Sequence, residues 1–258
     1  MELKLAGGRD ALKLGAGRRL DKWKVASPNA SASRYYNATR INSILGSGSR
    51  GDMSKKDHIE VANKKTLEEF VESYFPDATW KTWAHPTTKT THHLSIQTAS
   101  ALSPSDFTAC FNLIESTSSE DYRKSKEGWK PKAKKREMKL LDLKYLLVKQ
   151  DTKVEGFVSF MPTYEDDFPV VYCYEIHLRE ELRGTGLAAT LVEHLSTIGQ
   201  NIPSTAKVML TVFTRNERAV SFYSKLGYTK DEFSPPPRIL RNGTKVEAEY
   251  VILSKAIS

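Results

Sequence analysis

The residues of this chain best suited to chemistry form a loop, Arg183-Gly184-Thr185-Gly186-Leu187-Ala188, which joins a strand-like segment to a helix-like one. Small side chains there let the backbone approach an anion closely. Successive N–H groups can point at it, and the dipole of the following helix adds positive potential. That is the chemistry of holding a pyrophosphate. A nucleoside-triphosphate P-loop is excluded, because no Gly-Lys-Ser/Thr follows. A dinucleotide site is harder to set aside, since Gly184, Gly186 and Ala189 satisfy its looser spacing. It would also need an acid about twenty residues on, near the end of the next strand, and Lys207–Asn216 offers none. An ordinary tight turn with two glycines at positive φ would account for the loop taken alone.

A second segment changes the balance. Asn216-Glu217-Arg218-Ala219-Val220-Ser221-Phe222-Tyr223-Ser224-Lys225-Leu226-Gly227-Tyr228 follows another strand-like run some thirty residues later. The loop resembles the Arg/Gln-x-x-Gly-x-Gly/Ala motif of the GCN-five-related N-acetyltransferase (GNAT) superfamily. The second segment resembles that superfamily's Asn-x-x-Ala-x-x-Phe-Tyr-x-Lys-x-Gly-Phe/Tyr stretch, in the right order and at the right separation. Val171-Tyr172-Cys173-Tyr174-Glu175, Lys207-Val208-Met209-Leu210-Thr211-Val212-Phe213 and Glu127-Gly128-Trp129-Lys130 are further similar to the NatD branch of protein N-terminal acetyltransferases. That branch acetylates the N-terminal serine of histone H-four and histone H-two-A. The resemblance covers roughly residues 57–255.

The resemblance implies acetyl-CoA as co-substrate, histone tails as partners, and a set of roles. The backbone of Ile176-His177-Leu178 should pair with the pantetheine arm like an added strand. Residues Arg183, Gly184, Thr185, Gly186, Leu187, Ala188 and Ala189 should hold the pyrophosphate, and Asn216 should touch the CoA arm. Glu175 lies where the superfamily often keeps its base. An N-terminal amine has a pKa near ~8, so removing its proton at neutral pH costs little, and a carboxylate reached directly or through water suffices. Tyr223 is placed to protonate the leaving thiolate, although the branch also carries Phe there, and Tyr174 stands beside the base. The family's substrate contacts map onto Tyr122, Tyr174, Thr211, Ser234 and Tyr250. Its acid in the connector before the catalytic strand falls on Thr163, with Tyr164 and Glu165 next, and Glu165 is the substitute carboxylate. Glu127 stands where the family has Trp, while Trp129 remains. His177 reads as an outward strand residue rather than a catalytic one. No metal site is implied.

These groups need a scaffold. Residues 57–74 carry Ile59, Ala62, Leu67, Phe70, Val71 and Tyr74 at helical spacing, and the family uses such an N-terminal helix to brace the domain. Residues 76–92 read as a polar connector and Leu94–Ala101 as a weak strand. Ser103-Pro104-Ser105-Asp106 begins a helix that runs to about Ile114. Tyr145–Val148 and Val154–Met161 form a hairpin. Glu165-Asp166-Asp167 is an acidic connector into a strand at Val170–Leu178. A helix over 186–199, a strand at Lys207–Phe213, a helix over 217–225 and a strand over 246–253 complete the order. The fold class is α/β: one central mixed, mostly antiparallel sheet flanked by helices. The basic stretch Lys130–Arg136 could meet phosphates, but its amphipathic continuation reads better as a solvated helix face.

Composition bounds the remainder. Among 258 residues, 39% are hydrophobic, enough for a sizeable core. No apolar run approaches the ~20 residues of a membrane span, and no secretory h-region opens the chain. Cys110 and Cys173 make no metal spacing and suit a reduced intracellular protein. The net charge of +8 is uneven, because residues 1–55 hold eleven Lys/Arg against four Asp/Glu. That segment reads as a basic disordered tail, and 56–258 as the acetyltransferase domain. The expectation is a monomer of nucleus and cytoplasm needing neither nucleic acid nor membrane. Two other readings keep a place. One is the same fold acting on lysine side chains or small amines, against which stand Tyr174, Tyr250 and the bracing helix. The other is a non-catalytic chromatin- or RNA-binding protein, against which stand the near-complete loop, Glu175 and Tyr223.

Overall fold

Chain stiffness and capping chemistry decide where each element begins. Thr66 accepts from the N–H of Glu69 while the Glu69 carboxylate accepts from the N–H of Thr66, a reciprocal capping box. It starts a new helix inside the segment expected as one. The structure, a computed structural model, describes residues 57–75 and 77–257, and the basic tail over 1–55 lies outside the described residues. The expected helix over 57–74 is therefore two, α1 (His58–Lys64) and α2 (Leu67–Tyr74), with Lys65 extended between them.

The polar stretch read as a connector contains a short strand, β1 (Thr82–Ala84), and the start of β2 (Thr91–Thr98). Ser103 caps the Asp106 N–H and Pro104 opens α3, which continues past the expected end to Arg123. A further helix, α4 (Pro131–Glu137), precedes the hairpin of β3 (Lys144–Gln150) and β4 (Lys153–Glu165). The acidic connector is a two-residue turn. Asp166 and Asp167 both take positive φ, which suits the twist of a tight hairpin, and Glu165 is the last residue of β4. Then follow β5 (Phe168–Leu178), α5 (Leu187–Asn201), β6 (Lys207–Phe213), α6 (Glu217–Lys225) and β7 (Thr229–Lys230). The single closing strand expected at 246–253 is split. Its first part, β9 (Lys245–Val246), pairs with β8 (Arg238–Ile239) in a separate ribbon, and only β10 (Tyr250–Ala256) joins the main sheet.

Among the described residues the main sheet has eight strands, ordered β1-β2-β3-β4-β5-β6-β10-β7. Every neighbouring pair is antiparallel except β5 and β6, which run parallel. The sheet separates two cores. One holds Phe70, Val171, Cys173, Leu187, Leu191, Leu195 and Tyr223 beneath α1, α2, α5 and α6. The other holds Cys110, Phe111, Ile114, Met138, Tyr145, Tyr172 and Tyr174 beneath α3 and α4.

Gly156 of β4 lies against the far end of β5. A Cβ there would collide with Leu178 Cδ2 and sit 3.2 Å from the His177 carbonyl oxygen. We expect Gly156→Ala to lower unfolding stability by roughly 1–3 kcal/mol, the usual cost of overpacking. A denaturation midpoint equal to that of the unsubstituted chain would show that β5 yields freely at this point.

Candidate active site

Two irregularities in β5 open the sheet at one place. Ser159 of β4 faces Glu175, but the next residue, Phe160, faces Cys173, so Tyr174 is an extra residue in β5. A bulge of this kind lets neighbouring side chains share a face and sharpens the local twist. On the other edge, pairing with β6 runs from Val170/Lys207 to Cys173/Leu210 and goes no further. Beyond that point the two strands diverge. The gap holds a cavity of about 130 Å³, lined among others by Tyr122, Tyr174, Glu175, Thr211, Asn216 and Tyr223. Its walls come from both cores, so it lies in the gap of the sheet itself.

The backbone of Ile176, His177 and Leu178 pairs with β4 on one edge and has no described strand on its β6 edge. That edge is open to an extended partner. Past it the chain turns through Gly184 (φ +76°) and Gly186 (φ +91°). An added Cβ would meet nothing within 4 Å at either, so the requirement for glycine is the backbone angle itself. Gly186 caps α5, and the first hydrogen bond into the helix is Thr190 N–H to the Gly186 carbonyl. The N–H groups of Leu187, Ala188 and Ala189 are thus at the helix start with no carbonyl above them, an arrangement suited to an anion. Arg183 Nε donates to the Leu178 carbonyl at 3.1 Å, and Thr185 Oγ1 to the Leu182 carbonyl at 2.7 Å, which tightens the loop. Asn216 caps α6 by accepting from the Ala219 N–H at 3.1 Å and lines the cavity.

On the α3/α4 side Glu175 sits in a buried charge cluster. Its Oε1 accepts from Lys134 Nζ at 2.7 Å, and its Oε2 is 2.6 Å from His177 Nε2. His177 Nδ1 is 2.6 Å from Thr117 Oγ1. His177 is therefore not outward; it is buried beside the carboxylate, because strand alternation puts Glu175 and His177 on one face and the bulge before them turns that face toward α3 and α4. Burial works to raise the Glu175 pKa, but the Lys134 ammonium and His177 outweigh it and hold the carboxyl well below the usual range. Tyr223 is buried, and burial pushes its phenol well above ordinary, so it stays protonated.

The remaining sequence-derived positions divide. Tyr122, Tyr174 and Thr211 line the cavity, with Tyr122 edge-on to Phe213 at 5.1 Å and Tyr172 OH within 2.6 Å of Thr211 Oγ1. Tyr250 pairs with Phe213 across β10 and β6 and stands beside the rim, half-buried. Tyr164 does not join them. Its hydroxyl donates to Asp57 Oδ1 at 2.8 Å on the opposite face, because strand alternation points it at α1. Ser234 is also held elsewhere, its hydroxyl donating to the Ile252 carbonyl and accepting from the Ile252 N–H. Thr163 and Glu165 are buried on the same face as Met161, further along β4, and are not among the lining residues. Trp129 stacks on Phe111, and its Nε1 donates to Glu115 at 3.0 Å. The sequence reading missed Lys134, which lay inside a run taken as solvated; no spacing signal distinguished it from its neighbours. No group of three or more His, Cys, Asp or Glu side chains able to hold a metal occurs among the described residues.

Glu165 has a buried Oε1 with no hydrogen-bond partner. Burial, with Asp166 nearby, raises its pKa from 4.5 to about 7. A carboxyl whose folded pKa is raised binds its proton more tightly than the unfolded chain does. Its stabilising effect is complete below about pH 4.5 and is lost as pH rises through about 7. We expect the folded protein to lose stability across that window and Glu165→Gln to flatten the slope. Parallel pH–stability curves for the two proteins would contradict the assignment.

Comparison with known proteins agrees with this geometry. The Acetyltransferase (GNAT) family model matches residues 109–228. The chain is 31% identical over 153 residues to N-alpha-acetyltransferase 40 of Saccharomyces cerevisiae, covering 50% of this chain and 53% of that protein. It therefore spans about half the length of this curated relative. Among solved structures, the GNAT domain of S. lividans PAT aligns with a TM-score of 0.50 at 14% identity, over 70% of this chain and 98% of that one, a likeness of fold.

Proposed function

We propose, on the premise that this chain has the GNAT fold and is similar to an N-alpha-acetyltransferase, that it moves the acetyl group of acetyl-CoA onto a protein's N-terminal amine. The substrate in this reading is the serine that begins histone H-four and histone H-two-A, met as a monomer in nucleus and cytoplasm. The observation that carries the reading is the gap between β5 and β6, which is lined by a carboxylate and tyrosines and lies beside the free edge of β5 that leads into the glycine loop.

Each part of the reaction has a group suited to it. The open edge of Ile176–Leu178 can receive the amides of the pantetheine arm as a strand would. The N–H groups after Gly186 can hold the pyrophosphate. Glu175, kept ionised, attracts the incoming ammonium, which loses one proton through water to solvent. The neutral amine nitrogen then bonds to the acetyl carbon and the carbon–sulfur bond breaks. Tyr223, kept protonated by burial, can give its proton to the departing sulfur and is reprotonated through water by the second proton that the bonded nitrogen releases. Acceptor choice follows from the same chemistry. An N-terminal amine has a pKa near ~8 and a lysine near ~10.4, so the former is neutral roughly two hundred times more often at pH 7.

The test is acetyl transfer to a Ser-Gly-Arg-Gly peptide with free and with blocked N-terminus. Transfer only to the free peptide is expected, and turnover of the blocked peptide through a lysine would replace this reading with the side-chain one. Gly186→Asp puts a carboxylate against the pyrophosphate and forces a residue disfavouring φ +91° into the turn. It should weaken acetyl-CoA binding at least about ten-fold, or ~1.4 kcal/mol; unchanged affinity in a folded variant would remove the loop from the site.

Glu165 supports a finer reading. A buried carboxyl with a pKa of about 7 and an unpartnered oxygen is poised to ionise when a cation arrives. Glu165 lies outside the cavity lining, further along β4, so in this reading the arginine two residues from a histone amine extends past the cavity to reach it, in a charge-assisted hydrogen bond worth ~1.5–3 kcal/mol. Preference for Ser-Gly-Arg-Gly over Ser-Gly-Ala-Gly in kcat/KM should grow from pH 6 to pH 8 and collapse in Glu165→Ala. The same preference in the variant would move arginine recognition to the tyrosines.

A further inference from the structure

The basic run Lys130–Arg136 does not behave as a solvated face throughout. Lys132, Lys135 and Arg136 of α4 are exposed, whereas Lys134 is turned into the protein and only 5% exposed. An ammonium has three N–H donors, and here each has an acceptor: Glu175 Oε1 at 2.7 Å, Glu137 Oε1 at 2.8 Å and the Tyr122 hydroxyl at 3.0 Å. Lys134 also lies 5.0 Å from the centre of the Tyr122 ring. Tyr122 lines both the main cavity and a smaller one, of about 50 Å³, that Lys134, Glu137 and Trp129 enclose on its far side. The ammonium thus stands in the wall between the two.

We propose that Lys134 is a positioning residue for Glu175: it fixes the carboxylate at the cavity and ties it to Tyr122 on the acceptor side. The proposal rests on the acetyl-transfer reading above and deepens it. Lys134 itself touches neither reactant. Glu137 gives it a second carboxylate 2.8 Å away, so that it can lean on Glu137 as an incoming ammonium docks at Glu175. A lysine held by three acceptors is also a poor nucleophile, which keeps it from competing for the acetyl group.

Several groups face Glu175 and bear on its titration. Lys134 and Glu137 come from α4, Tyr122 from α3, His177 from β5 itself, Tyr145 from β3 and Tyr223 from α6. Removing Lys134 takes away a permanent cation and leaves the desolvation that raises the carboxyl. Glu175 should then hold its proton to higher pH, so the acidic limb of kcat/KM should move upward.

The experiment compares the full chain with Lys134→Gln and Lys134→Arg, using acetyl-CoA and the free Ser-Gly-Arg-Gly peptide. Lys134→Gln should lower kcat at neutral pH at least about ten-fold, leave acetyl-CoA affinity within two-fold and shift the acidic limb upward by about one unit. Lys134→Arg, which keeps the charge, should restore the limb. A wild-type pH profile and rate in Lys134→Gln would overturn the proposal. A wild-type chain inactive on every peptide would sink the acetyl-transfer reading instead. The positioning claim would then be judged by a readout that needs no turnover, the carbon-13 titration of the Glu175 carboxyl, assigned by its loss in Glu175→Gln. An upward move of that titration in Lys134→Gln supports the proposal, and an unmoved one refutes it. If Lys134→Gln does not fold, the titration is read in Lys134→Arg and Glu137→Gln. Each keeps the cation, so a carboxyl that titrates in the ordinary range in both refutes the proposal, and one held low in both supports it.

Discussion

The structure depends on a failure of pairing. Parallel strands β5 and β6 share hydrogen bonds from Val170/Lys207 to Cys173/Leu210, and then the bulge at Tyr174 changes the direction of β5. A sheet interior is normally closed to ligands because each backbone group is engaged with its neighbour. Here three residues of a central strand have an edge to offer, and the side chains around the break line a passage rather than a core. The loop, the carboxylate and the tyrosines would be scattered features without that opening.

Charge inside such an opening must be balanced, since buried ions are costly unless paired and hydrogen-bonded. Glu175 meets this with a lysine on one oxygen and a histidine on the other. Glu165 meets it differently, remaining able to hold a proton near neutrality. Two carboxylates on one face of one sheet are thus set apart by their neighbours: one is ionised at all working pH values, the other responds to what approaches it. That contrast follows from what each carboxyl is buried beside, Lys134 and His177 for Glu175 and Asp166 for Glu165, not from the residue type.

The sheet order around the site was largely legible, because β4, β5 and β6 are rich in β-branched and aromatic residues and the two motifs fall at their ends. The loop was legible for the same reason: positive φ at Gly184 and Gly186 leaves a mark in the sequence. Other features were not. The break between α1 and α2 depends on the Thr66–Glu69 box, which the apolar spacing runs straight across. β1 is polar edge structure, and the first half of β2 alternates exposed Thr91 and His93 with buried His92 and Leu94, so a histidine stands where an apolar residue would have marked the strand. The roles of Tyr164 and Ser234 could not be read from position along the chain, since strand alternation and a local backbone bracket direct them. Lys134 was hidden by composition, as one lysine among several whose burial only tertiary packing decides.

The two cores have a consequence for how this protein can change over time. The glycine loop and α5 belong to one face of the sheet, with α1, α2 and α6. The helices α3 and α4 belong to the other. In the proposed reaction, substitutions in α3 and α4 would remodel what is accepted without repacking the layer beneath the glycine loop. Divergence among relatives should therefore accumulate on one side of the sheet, leaving the other as inherited machinery.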